Sequence, residues 1–179
     1  MNSHRLLSLL VPTLVATSAL AAAPYAGQQT RDVKALSADE VSALLDGKGM
    51  GFARAAELNG FAGPAHVLEL AAELQLTDEQ RTRTHALFAA MSASAIVAGR
   101  LLVDKERELD RLFATKAISP DRLASELQQI GGLQARVREA HLQAHLAQVE
   151  ILTAEQNARY GQLRGYAATP EQREHEHRH

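Results

Sequence analysis

The chain has 179 residues, with no cysteine, no tryptophan and only 4% aromatic residues. The absence of cysteine excludes disulfides, thiolate metal sites and cysteine nucleophiles in any compartment. With so few aromatics the interior has to be built from Ala and Leu, which suits thin helical layers better than a thick sheet-lined core. Net charge is low as well, at −2, which gives no basic stripe of the kind that nucleic acid needs. No stretch alternates polar and apolar residues for long enough to read as a strand. The expected fold is all-α: a long bent helical hairpin with short flanking helices.

What the chain does have is helix punctuation. Leu76-Thr77-Asp78-Glu79-Gln80 and Leu152-Thr153-Ala154-Glu155-Gln156 are two copies of one pattern. In each, a Thr stands three residues before a Gln, the spacing of a capping box. Ser37-Ala38-Asp39-Glu40 is a third such box. A short helix is therefore expected from Ser37 to Asp46-Gly47, followed by a hinge at Gly47-Lys48-Gly49-Met50-Gly51. That glycine run lacks the Lys-Ser/Thr ending of a phosphate loop. Another short helix is expected over Phe52–Leu58, with Asn59-Gly60 as its stop. The next should start at Gly63-Pro64 and carry Val67, Leu68, Leu70, Ala71 and Leu74 up to Thr77.

From Thr77 the longest helix should run to about Ala114, with Asp104–Arg111 as its solvated charged face. Ser119-Pro120 restarts the helix. Leu123, Leu127, Ile130, Leu133, Val137, Ala140, Ala144, Ala147 and Ile151 then recur by threes and fours, the stripe of an amphipathic helix. Gly131-Gly132 interrupts that stripe and suggests a bend or a close helix crossing there. Thr153 opens a last helix ending near Gly165-Tyr166.

The termini read differently from this body. Met1–Arg5 is a short basic start, Leu6–Leu20 is apolar, and Ala19-Leu20-Ala21 fits an export-signal cleavage site. Residues 1–21 are thus expected to be an export signal peptide, with an uncleaved membrane anchor as the alternative. Residues 22–61 form an N-terminal extension, 62–166 the helical domain, and 167–179 a polar, His-rich tail expected to be disordered.

Candidate chemistry centres on histidine. His141 and His145 stand at i, i+4, which puts both imidazoles on one helix face within reach of a shared metal ion. His66 and Glu69 on the helix from Pro64 are the candidate partners, with Glu73 further along. Imidazole and carboxylate together suit zinc, nickel, cobalt or copper, although nothing requires a cofactor. His85 reads as an ordinary helix residue. In the tail, His175, His177 and His179 alternate, and such a segment can capture a metal without preformed geometry. No nucleophile elbow of the G-x-S-x-G type is present. Paired acids such as Asp39-Glu40 and Asp78-Glu79 sit in first helical turns, where the dipole accounts for them. An enzyme is not expected. Leu142, Leu146 and Val149 fall on the far side of the helix from the Val137 stripe, so a second helix, a second subunit or a client chain should cover them.

The export signal, the helical body and the two Leu-Thr-x-x-Gln boxes resemble the Spy/CpxP-type periplasmic proteins, including their CnrX- and ZraP-like metal-sensing relatives. The likeness spans roughly Pro64 to Tyr166 and leaves Ser37–Phe61 unaccounted for. It implies an antiparallel, cradle-like homodimer. It implies ATP-independent binding of unfolded clients, or partnership with an envelope-stress or metal-sensing regulatory protein. His141 and His145 match the His-x-x-x-His of the sensing members. His66 departs from it, with Ala62 and Leu70 where a second His would stand.

Overall fold

The computed structural model describes residues 23–166; the signal-peptide reading of 1–21 and the tail with His175, His177 and His179 lie outside the described residues. Residues 23–30 group separately, in turns held in part by Gln28 Nε2 donating to the Pro24 carbonyl at 3.3 Å. The main compact unit begins at Arg31. Its described elements are α1 (Ala38–Leu45), α2 (Arg54–Glu57), α3 (Pro64–Glu69), α4 (Asp78–Ala114), α5 (Pro120–Val149) and α6 (Ala154–Leu163). There is no strand among the described residues, and the all-α expectation holds.

All three boxes are formed. Ser37, Thr77 and Thr153 each accept from the amide three residues on, and Glu40, Gln80 and Gln156 reach back to the cap amides. These bonds satisfy amides that a helix start otherwise leaves open. Ser119 caps α5 by accepting from the Arg122 amide, with Pro120 in the first turn. The 37 residues of α4 span roughly 55 Å at 1.5 Å per residue. This helix is long and apolar enough to cross a membrane by composition, yet it packs along α5 as one arm of the expected hairpin.

Three expectations are corrected. The helix from Pro64 ends at Glu69, and Leu70–Gln75 continue as turns, with Gln75 at φ 51°. Ala71 and Leu74 are nevertheless buried, because the turns keep them on the same side. Second, α5 continues unbroken through Gly131 and Gly132, and no close helix crossing lies there, since a Cβ on either would meet nothing within 4 Å. The close crossing lies at Gly99 instead, where a Cβ would run into the Leu44 carbonyl at the end of α1. Third, the Asp104–Arg111 face is only partly solvated. Arg107 pairs with Asp32 and Asp110 with Lys34, which tie the extension to α4, while Glu106 is buried. Likewise on α5, Glu126 is buried and paired with Lys105 at 3.2 Å, whereas Leu127 of the expected stripe is 50% exposed.

The apolar interior is in two parts. One gathers Val33, Leu44, Leu102, Val103, Ile130 and Val137 where α1 lies on the hairpin. The other gathers Ala62, Val67, Leu74, Leu76, Leu152 and Tyr160 around α3 and α6. Residues 37–61, which the family resemblance left unexplained, thus cover one side of the hairpin.

Candidate functional site

Between the two apolar clusters the buried surface of α5 is polar, carrying His141, His145 and Gln148. Their spacing of four and three residues stacks them on one helix face. Gln148 is fully buried and donates through Nε2 to Thr84 Oγ1 at 3.2 Å. His145 Nδ1 meets the Phe61 carbonyl at 2.7 Å, and a carbonyl can only accept, so Nδ1 carries the proton. His141 is held by packing alone. Its Nε2 is buried with no hydrogen-bond partner among the described residues. Burial, and secondarily the neighbouring His145, push its pKa below the ordinary histidine value, so it stays neutral.

The extension brings Glu57 to this layer at the end of α2. Its Oε1 accepts from the Tyr160 hydroxyl at 2.5 Å and lies 3.4 Å from Arg164 Nε, and its Oε2 is 3.6 Å from His145 Nδ1. Burial, then Glu57, hold the Tyr160 phenol well above its usual pKa, so it remains a donor. Gly63 makes the approach possible, since a Cβ there would lie 2.8 Å from His145 Cε1. Sequence reasoning missed Glu57, Tyr160 and Arg164. They sit on three separate elements, and Glu57 and Tyr160 are 103 residues apart.

His66, His141 and His145 do line one open cavity, of about 600 Å³, together with the Gly47–Gly51 run, Phe88 and Met91. The four expected metal ligands are not gathered. His66 Nδ1 pairs with Glu69 at 2.8 Å in an exposed contact on α3, and Glu69 does not line the cavity. No set of three or more His, Asp or Glu positioned to hold a metal exists among the described residues. Glu73 and His85 are exposed on the surface. The tail run His175-Glu176-His177-Arg178-His179 is a literal H-E-x-x-H, a motif that works as a zinc-peptidase site when set on a helix; it lies outside the described residues.

The side of the hairpin left open among the described residues carries a second feature. Leu87, Ala90, Val97 and Leu101 of α4 face Ala140, Ala144 and Ala147 of α5 across an open groove of about 860 Å³, with Arg136 and Glu139 in its lining. Small residues on α5 leave the channel open, and Val97 and Leu101 are 60% and 47% exposed. Of the residues first expected to form an apolar surface, Leu146 is 57% exposed, while Leu142 and Val149 are half-buried. The groove follows the Ala140/Ala147 line one step around the helix.

Set against family models, curated proteins and solved structures, the chain finds no match. The Spy/CpxP resemblance rests on the residues of the chain alone.

Proposed function

We propose that the protein is a periplasmic, ATP-independent chaperone or envelope-stress adaptor that binds apolar segments of unfolded or partner chains in the α4/α5 groove. The observation carrying this reading is the groove itself. It is a mainly apolar groove between the two long helices, with exposed Val97 and Leu101 on one wall. Large apolar side chains left exposed along a groove rimmed by polar residues are the kind of surface that binds other chains. The alanine wall accepts varied side chains because no large residue fixes a register, and Arg136 and Glu139 at the edge offer polar contacts of either sign. No step of such binding needs a nucleotide or a metal, and no enzyme chemistry is assigned.

The test is aggregation of a chemically denatured client in the presence of the purified protein. The wild type should slow aggregation at near-equimolar ratio, and Val97→Asp with Leu101→Asp should lose most of that effect while keeping helical content. Full protection by the doubly substituted protein, or none by the wild type, would overturn the reading.

A further inference from the structure

The cavity on the covered side of the hairpin is not used by the function just proposed, and its lining is that of a small-molecule site. We propose that it binds a small amphiphilic carboxylate, an apolar chain with one anionic head, with Arg54 taking the head group.

Size and lining come first. A cavity of about 600 Å³ lies within the range of roughly 300–1,000 Å³ typical of ligand sites, which are mostly apolar with few polar groups. Met50, Leu58 and Phe88 line it and are 40%, 55% and 37% exposed. Three large apolar side chains from separate segments are thus left open to water around this one hollow. Methionine at Met50 and Met91 offers an adaptable wall for a flexible chain.

Charge balance decides the sign of the head group. Asp46 is paired with Lys48 at 3.2 Å, and Glu57 with Arg164 at 3.4 Å. His66 is paired with Glu69. Arg54 lines the same cavity and has no ion pair among the described residues. Its guanidinium rests over Gly51, which has φ +80° and where a Cβ would lie 3.1 Å from Arg54 Nη2. A planar guanidinium matches a carboxylate through two parallel hydrogen bonds. His141, whose burial keeps its ring neutral, also lines the cavity, and a neutral ring tolerates an apolar chain better than a charged group would. A divalent ion is the weaker fit, because His141 and His145 have no third ligand gathered beside them.

Decanoate, below the concentration at which it self-associates, is the probe, with decanol and decylamine as comparators. Calorimetry on the full chain should show decanoate binding with one site per chain and at least tenfold tighter than decanol or decylamine. Arg54 is exposed, so Arg54→Gln will fold, and it should weaken decanoate about tenfold, as expected for losing a charge-assisted pair. Ala65→Trp, which puts a large side chain on the cavity lining, should abolish binding. In proton NMR the His141 and His145 ring signals should move on titration. Val97→Asp in the other groove should leave decanoate binding unchanged, so failure of this proposal is separable from failure of the chaperone reading. Absence of decanoate binding to the wild type, equal affinity of Arg54→Gln, or loss of binding in Val97→Asp alone would overturn the assignment.

Discussion

Gln80 and Gln156 hydrogen bond to each other in both directions, Gln80 Nε2 to Gln156 Oε1 at 2.7 Å and Gln156 Nε2 to Gln80 Oε1 at 3.0 Å. Each oxygen also accepts its own cap amide, from Thr77 at 3.1 Å and Thr153 at 2.9 Å. Each nitrogen donates once more, Gln80 to the Ile151 carbonyl at 3.0 Å and Gln156 to the Leu74 carbonyl at 3.1 Å. The two boxes are therefore one clasp, joining the start of α4 to the start of α6.

A capping box works equally well with Glu at its third position, but this clasp does not. A carboxylate lacks the two donors that each Gln uses, and it would face the partner's oxygen. Gln80→Glu is expected to destabilise the protein at pH 7 by about 1–3 kcal/mol, the usual cost of leaving buried acceptors unmade. Gln80→Ala and Gln156→Ala should each cost a similar amount, with a coupling of about 0.5–3 kcal/mol in the double variant. Urea unfolding measures all four. A Gln80→Glu midpoint equal to wild type would refute the clasp.

The glycines of the hairpin arms separate into opposite kinds. Gly131 and Gly132 lie in mid-helix with open space where a Cβ would go. Replacing either with Ala should stabilise by about 0.5–1 kcal/mol, since only backbone freedom is removed. Gly99 faces the Leu44 carbonyl at closest approach. Gly99→Ala should destabilise by about 1–3 kcal/mol or more by forcing α1 off the hairpin. Thermal melts of the three variants should move in these opposite directions.

This contrast marks where sequence reading stops. Helix starts were legible because a capping box is a local device, with donor and acceptor three residues apart, and all three stood where the pattern put them. The pairing of the two Gln boxes was not, because it spans 76 residues. That the two histidines share one helix face was legible from their spacing. Their neighbours were not: Glu57, Tyr160 and Arg164 come from α2, α6 and the turn after α6, and no periodicity links them. Gly99 and Gly132 look alike in sequence, since what distinguishes them is another segment's backbone.

Glu106 stands in the middle of the charged run on α4, yet it is buried and has no ion pair among the described residues. Burial raises its carboxyl pKa. A raised carboxyl keeps its proton longer in the folded chain, so it opposes folding once pH exceeds its folded value and not below its unfolded one. Glu106→Gln should raise the urea midpoint at pH 7, and the gain should shrink as pH falls toward 4. A gain that is the same at both pH values would show that packing, not ionisation, is responsible.

His141 supplies the opposite pH dependence. Its pKa is lowered in the folded protein, by burial first and by His145 second. Below the ordinary histidine value of about 6.5, the unfolded chain takes a proton that the folded chain refuses. Stability contributed by the neutral ring is thus present above that value and declines as pH falls toward the folded pKa. His141→Leu keeps the volume roughly constant and removes a buried Nε2 that has no partner, so at pH 7.5 it should be as stable as wild type or more so. Between pH 7.5 and 5.5 the wild-type urea midpoint should fall further than the variant's. The difference between the two proteins isolates His141 from the carboxylates, which titrate in both. Parallel midpoint curves would mean that His141 is protonated in the folded chain without penalty, and that the layer between the two apolar clusters is wetter than its packing indicates.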